Sequence, residues 1–230
     1  MTYLLVLPYR NPLLLAKQIA TADVVSGGRL TIAAGTGYLR SEYAALGVEF
    51  GERNELFDEC AEVLTTAWAE PAYRFSGTHF TALAQALVPR PVQRPHPPLW
   101  IGGNSAAARA RVARYGQGWT PLIMDARKAR TTRTPPLTST GELAAAIGDM
   151  RTRAAEAGRD GACLDIQVQW EAIDNLAAGY QSIADASWRL ADAGATWAVF
   201  EPPGSDVERT LDLLGEFGAE VISLHHEINS

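Results

Sequence analysis

Leu99-Trp100-Ile101-Gly102-Gly103-Asn104-Ser105, the Ala/Arg-rich run that follows to Tyr115-Gly116, and then Trp119-Thr120-Pro121-Leu122-Ile123-Met124 decide the fold. The first three residues read as a buried strand. The glycine pair turns the chain, a helix runs to Tyr115, and Gly116 stands where a C-cap glycine belongs. Trp119 to Met124 reads as the next strand. Strand, turn, helix and strand in this order form the unit of a parallel sheet covered by helices.

The same rhythm extends in both directions. Tyr3 to Leu7 is a short apolar run closed by Pro8, and Asn11-Pro12 is a helix start with Asn as N-cap. Leu14, Leu15, Ile19, Val24 and Val25 give that helix an apolar face, and Leu30 to Ala34 is a strand closed by Gly35-Thr36-Gly37. Phe57, Leu64 and Trp68 recur at helical spacing between Glu52 and Trp68. Residues 70 to 98 form an insertion. Tyr73-Arg74-Phe75 and His79-Phe80 flank Ser76-Gly77 as a hairpin, and prolines at 89, 91, 95, 97 and 98 force an extended connection. Beyond Met124, residues 125 to 138 are basic and Pro/Thr-rich and read as a mobile loop. Ser139-Thr140-Gly141-Glu142 and Ser205-Asp206-Val207-Glu208 are capping boxes that open helices. Leu164 to Trp170 and Trp197 to Phe200 are strands, with a helix from Ile183 to Ala193 between them. The count is about six strand–helix units. A complete eight-unit barrel takes about 250 residues, roughly 30 per unit. The chain reads as a single domain, either a TIM-like (β/α)8 barrel lacking its first two units or an open parallel sheet.

Composition narrows the function. The chain has 230 residues, with 20 Lys and Arg against 26 Asp and Glu, a formal charge of -6. That balance argues against a nucleic-acid partner held through phosphates. No apolar run reaches the roughly 18 residues needed to span a bilayer, so no membrane partner is expected, and the start has no basic lead-in or cleavage site, so no signal peptide is expected. Two distant cysteines, Cys60 and Cys163, form neither a disulfide framework nor a zinc set. They suit a reducing cytoplasm. None of the four histidines makes a ligand spacing, and no metal site is expected.

In parallel α/β folds ligands sit beyond the carboxyl ends of the strands. Four segments qualify: Leu7 to Arg10, Gly35 to Glu42, Gly102 to Asn104, and Glu201-Pro202-Pro203. Gly35-Thr36-Gly37 allows close backbone approach by a ligand, or simply turns the chain after a strand. Tyr38, Arg40, Ser41 and Glu42 add a phenol, a cation, a hydroxyl and a carboxylate. Gly102-Gly103-Asn104-Ser105 offers free N–H groups to an anion at a helix start, or is a loop in which Asn104 or Ser105 caps the helix. Arg40 stands at the last position of a would-be Gly-x-Gly-x-x-Gly, so the dinucleotide fingerprint fails. Arg109, Arg111 and Arg114 read as a solvated helix face, and His96, His225 and His226 as non-catalytic.

Three segments taken together are more specific: Leu5 to Pro12, Ser26 to Glu42, and Arg90-Pro91-Val92-Gln93 through to Asn104. Their order and spacing resemble the bacterial luciferase-like monooxygenase superfamily, in particular its branch that uses the deazaflavin coenzyme F420. The resemblance implies an α/β barrel, often a homodimer, with a flavin or deazaflavin at its mouth. It implies hydride transfer between F420 and a small organic substrate; the alternative is an FMN-dependent monooxygenase. Thr2 to Val6 matches the third barrel strand, with a non-proline cis peptide near Tyr3-Leu4 behind the cofactor ring. Tyr3, Leu4, Val6, Thr36, Gly37 and Tyr38 are then cofactor-lining positions, and Gly102, Gly103 and Asn104 a phosphate cradle. Tyr38 and Glu42 are the candidates for proton handling. Tyr38 stands where sugar-phosphate-oxidising members carry an acid, which argues against that activity. On this match Met1 falls inside the third strand, and a non-catalytic fragment acting in assembly is the competing reading.

Overall fold

The structure, a computed structural model, describes residues 1–170, 179–200 and 206–222. Glu201, Pro202, Pro203, His225 and His226 lie outside the described residues. The elements run β1 (Thr2–Val6), α1 (Pro12–Val25), β2 (Ile32–Gly35), α2 (Arg40–Ala45), α3 (Arg53–Thr66), the hairpin strands β3 (Tyr73–Ser76) and β4 (Thr81–Gln85), β5 (Leu99–Gly102), α4 (Ala106–Tyr115), β6 (Gly118–Thr120), α5 (Ala126–Thr132), α6 (Thr140–Glu156), β7 (Asp165–Trp170), α7 (Tyr180–Asp192), β8 (Trp197–Phe200) and α8 (Val207–Phe217). Six strands pair in the order β1-β2-β5-β6-β7-β8. Every pairing in this sheet is parallel, and the hairpin stands apart from it.

Local chemistry fixes the element ends. Asn11 accepts hydrogen bonds from the N–H groups of Leu13 and Leu14, with Pro12 as first helical residue. Ser105, Ser139 and Asp206 cap α4, α6 and α8 in the same way. The sequence reading fails at four places. The hairpin exists, but its second strand is β4 rather than His79-Phe80, because Glu59 accepts from the N–H groups of Thr78, His79 and Phe80 and holds them in the turn. The strand expected from Trp119 to Met124 stops at Thr120, because Pro121 has no N–H for the ladder. The stretch 125–138, expected as a loop, contains α5, because Asp125 accepts from the N–H groups of Arg127 and Lys128 and starts a helix. The short helix α2, whose N-cap residue Leu39 makes no side-chain capping bond, was not anticipated.

The sheet is strongly curled. In a flat sheet β5 and β8, three places apart, would be about 14 Å from each other. Yet the rings of Trp100 and Trp197 lie 5.9 Å apart. Likewise Tyr3 on β1 donates to Gln169 Oε1 on β7 at 3.2 Å, across four strand spacings. The result is a half-barrel of the kind a TIM-like fold requires. Its two faces differ in chemistry. Ile32, Ala34, Leu99, Ile101, Trp119, Ile166 and Val168 belong to the core packed under the helices. Their alternates, Ala33, Gly35, Trp100, Gly102, Gly118, Thr120 and Gln167, face the barrel axis by strand periodicity. At β1 a bulge shifts the register between Thr2 and Leu5, where the Tyr3-Leu4 peptide is cis as the resemblance implies. There the Thr2 hydroxyl takes over the ladder, donating to Ala33 O at 3.1 Å and accepting from Ala33 N at 3.0 Å.

The insertion is tied down by one buried carboxylate. Asp23 on α1 is 0% exposed and accepts from Gln93 N at 3.0 Å and Gln93 Nε2 at 2.7 Å. Gln93 Nε2 also donates to Leu30 O at 2.7 Å. Gln93, quoted in the sequence only as part of a pattern, is the latch between the proline-rich connection and the start of β2. Replacing Asp23 by Ala leaves Gln93 N without its acceptor and Gln93 Nε2 with only Leu30 O, and equilibrium urea unfolding is expected to show a loss of about 2–3 kcal/mol.

Candidate functional site

A cleft of about 550 Å³ opens at the carboxyl ends of the strands, within the range of small-molecule sites. Gly35, Thr36, Gly37 and Tyr38 from the β2 side and Gly102, Gly103 and Ser105 from the β5 side line it together. The two glycine turns are therefore at the same end of the sheet.

Leu4 forms the floor. A Cβ on Gly35 would lie 2.9 Å from Leu4 Cδ1, and one on Gly102 would lie 2.7 Å from Leu4 Cδ2. These glycines make room for a leucine side chain rather than directly for a ligand. Gly37 has φ +71°, and a Cβ there would come 2.8 Å from Val6 Cγ1. Val6, expected against the cofactor, thus lies behind Gly37 and outside the lining. Tyr3 and Leu4 do line the cleft.

The start of α4 forms one wall. Ser105 Oγ accepts from Ala108 N, while the N–H groups of Ser105, Ala106 and Ala107 have no acceptor among the described residues. Asn104 plays a different part from the one expected. Its Nδ2 donates to Leu122 O at 2.7 Å and Pro135 O at 2.9 Å, and its Oδ1 accepts from Leu122 N at 2.8 Å. With its side chain spent on these loops and 4% exposed, Asn104 holds the cradle in place and is not among its lining residues.

Arg111 overturns the reading of a solvated helix face. It is 9% exposed and lies at the buried phase of α4, beside Ala108, Val112 and Tyr115. Its Nε donates to Asp58 Oδ1 at 2.7 Å and its Nη2 to Asp58 Oδ2 at 3.1 Å, a fork that fixes the guanidinium plane. Nη2 also reaches Asn54 O at 3.0 Å, and the group sits over the Phe57 ring at 4.8 Å. Its Nη1 has no partner among the described residues, and Arg111 lines the cleft. Arg109 is likewise engaged, donating to Asp149 at 2.5 Å and to Asn104 O at 2.8 Å. Arg114, with its side chain 67% exposed, is the one that stays in solvent.

Of the two proton-handling candidates, Tyr38 lines the cleft, and its hydroxyl has no partner among the described residues. Glu42 does not line it; its carboxylate accepts from the Tyr9 hydroxyl at 2.9 Å. Burial first, and then that hydrogen bond, push the Tyr9 phenol well above its ordinary value. Tyr43, buried beneath, donates to Thr36 O and fixes the turn. Burial raises its phenol to about 12, with Arg53 opposing. Arg53, Phe57, Arg111, Arg133 and Gln169 also line the cleft, and the sequence reading does not place them there. For Arg111 a signal existed, since it stands three residues after Ala108 and four before Tyr115, on one helical face. Among the described residues no set of His, Cys, Asp or Glu could hold a metal ion, and no helix is long and apolar enough to cross a membrane.

The luciferase-like monooxygenase family description matches residues 1–173. The chain belongs to the luciferase-like monooxygenase family. An FMNH2-dependent dimethylsulfone monooxygenase from Pseudomonas putida is 36% identical over 107 residues, which are 45% of this chain and 30% of that protein. An F420-dependent secondary alcohol dehydrogenase, solved with an F420-acetone adduct, superposes with a TM-score of 0.71 at 17% identity, over 92% of this chain and 75% of that one. The coenzyme F420-dependent tetrahydromethanopterin reductase of Methanopyrus kandleri gives 0.69 at 17% identity, over 93% and 79%. These structures share the fold. The matched segments span 30–40% of the length of the curated relatives. Family members are oxidoreductases and monooxygenases, and both F420- and FMN-dependent proteins stand among the neighbours.

Two predictions follow from the site's frame. Gly37→Ala forces a side chain into a left-handed backbone and onto Val6, at a cost of about 1–3 kcal/mol read from thermal unfolding. Asp149 is held below its ordinary carboxylate range, first by the Arg153 hydrogen bond and then by that of Arg109. Its folded value lies below the unfolded one, so its contribution is complete above about pH 5 and is lost as pH falls through the lowered value. Thermal unfolding followed from about pH 6 to pH 2 is expected to fall more steeply for the native protein than for Asp149→Asn.

Proposed function

We propose that the cleft holds a flavin-type cofactor by its phosphate, that this cofactor is coenzyme F420, and that the protein moves a hydride between it and a small organic substrate. The observation that carries this reading is one juxtaposition. Unspent N–H groups at the start of α4 and the unspent Nη1 of Arg111 border a cleft whose floor is Leu4 and whose walls include Leu122 and Met124. Donors at a helix start beside a fixed guanidinium suit a phosphate dianion, and an apolar floor suits a flat aromatic ring.

When bound, F420 supplies a hydride-carrying carbon, whereas reduced FMN supplies oxygen activation. The protein's part is to bind, orient and exclude water. Arg111, clamped by Asp58, anchors the phosphate without reorganising, and Leu4 keeps water from the ring side. The Tyr38 hydroxyl holds the proton at the cleft wall, where it can be given to or taken from a substrate oxygen. Thr36 Oγ1, also unspent among the described residues, orients the ring edge. FMN is the second reading, favoured by the sequence likeness to the dimethylsulfone enzyme.

Titrating the protein with F420, FMN and riboflavin, followed by fluorescence quenching, tests the reading. Riboflavin, which lacks the phosphate, is expected to bind about a hundredfold more weakly than FMN. Arg111→Met is expected to remove most of that difference, and Tyr38→Phe to keep binding while lowering turnover about a hundredfold or more. Absence of phosphate-sensitive binding by any of the three ligands ends the proposal.

A further inference from the structure

Asn104 uses every polar atom it has, and it uses them in two directions. One is toward the cradle. The Asn104 carbonyl accepts from Arg109 Nη1 at 2.8 Å, and a planar trans peptide sends the Ser105 N–H the opposite way. That N–H is the first of the unspent donors at the start of α4. The preceding residue is held on both sides. Gly103 N donates to Thr120 O at 3.2 Å, and Gly103 O accepts from Trp119 Nε1 at 2.8 Å. A displacement at Ser105 is therefore passed to Asn104.

The other direction is toward the chain that carries α5. Asn104 N donates to Thr134 Oγ1 at 3.0 Å, its Nδ2 reaches Leu122 O and Pro135 O, and its Oδ1 accepts from Leu122 N. Met124 and Leu137 close this stretch into a loop by exchanging backbone hydrogen bonds at 2.8 and 3.3 Å. Of residues 125–136, Ala129 alone is buried. A loop with so little buried surface opens at low cost, and Asn104 is its polar anchor to the barrel. A second contact, Arg133 over the Phe50 ring at 5.3 Å, does not involve the cradle. Leu122, Met124, Thr132 and Thr134 of this loop line the cleft.

We infer, resting on the proposed cofactor reading, that Asn104 is a positioning residue that passes phosphate occupancy to the α5 wall, so that the cofactor sets this wall before a substrate meets it. An anion that takes the Ser105 N–H fixes the Asn104–Ser105 peptide plane. The Asn104 side chain then keeps the one orientation in which Leu122, Thr134 and Pro135 are held. A ligand without the phosphate fills the apolar floor but leaves this peptide free to rock, so it makes no distinction between a placed and a loosened wall. The coupling is reciprocal: a placed wall tightens the hold on phosphate, and a loosened wall weakens it.

Hydrogen–deuterium exchange reads this coupling segment by segment. F420 and FMN are each compared with a phosphate-free counterpart, the deazariboflavin core of F420 and riboflavin, at matched saturation. In a pair that binds, the phosphate-bearing member is expected to slow exchange over residues 122–135 about tenfold, and its counterpart less than about twofold. Asn104→Ala and Thr134→Val are expected to shrink that contrast below about threefold, while the phosphate still protects Ala106 and Ala107. Thr134→Val removes one acceptor at nearly constant shape, so it stays informative where Asn104→Ala unfolds. Equal slowing by both members of a pair shows that the wall follows the ring; it overturns the inference and leaves the cofactor reading standing. Protection confined to the start of α4 does the same. Variants that speed exchange of the unliganded loop yet keep the contrast give Asn104 a structural role alone, and this also overturns the inference. Failure of all four ligands to bind overturns both readings.

Discussion

Leu4 seated over Gly35 and Gly102 is the contact from which the rest of the site follows. Two side chains are absent where neighbouring strands converge, and one leucine from the edge strand fills the space. Any Cβ at either glycine displaces it. With Leu4 in place the strand ends close around an apolar floor, and the loops after β2 and β5 face each other over it. The bulge in β1 belongs to the same arrangement, because it turns Leu4 inward while the Thr2 hydroxyl keeps the ladder closed.

Electrostatics supply the second layer. A chain of net charge -6 concentrates cations around one opening and spends its acids elsewhere. Asp58 fixes Arg111, Asp149 fixes Arg109, and Arg109 in turn holds the Asn104 carbonyl. Each carboxylate works by aiming an arginine. Guanidiniums aimed beforehand lose little freedom when an anion arrives, which is the physical meaning of preorganisation here.

Much of the architecture was legible because it is local. Asn11-Pro12 and Ser139 to Glu142 announce helix starts by capping chemistry, whereas α8 is capped by Asp206 rather than by the box that begins at Ser205. Short apolar runs such as Leu99 to Ile101 announce strands that are buried on both faces. Pro121 is equally legible as a strand terminator, although the apolar run around it suggests a strand that continues. The glycine turns were placed correctly at one end of the sheet, yet their reason was hidden, because Leu4 is more than thirty residues away from either in sequence. The resemblance sets Asn104 in the cradle, and the carboxylate of Glu42 suggests proton handling, but neither position shows in the sequence what its side chain will meet. Their partners, Leu122 with Pro135 and Tyr9, come from elements that only folding brings near. Arg111 was lost for a related reason, since arginine on a helix suggests water unless its helical phase is compared with Ala108, Val112 and Tyr115.

The two faces of the sheet have a further consequence. Stability resides in the shell, where Ile32, Leu99, Ile101, Trp119 and Ile166 meet the helices. The axial face is built from alanine, glycine, Trp100 and a few polar groups, and the Gln167 amide, the Thr120 hydroxyl and the Trp100 indole N–H find no partner among the described residues. Substitutions along the axis therefore change the lumen without disturbing the layer that keeps the chain folded. Chemistry can drift in this molecule while its scaffold stays put.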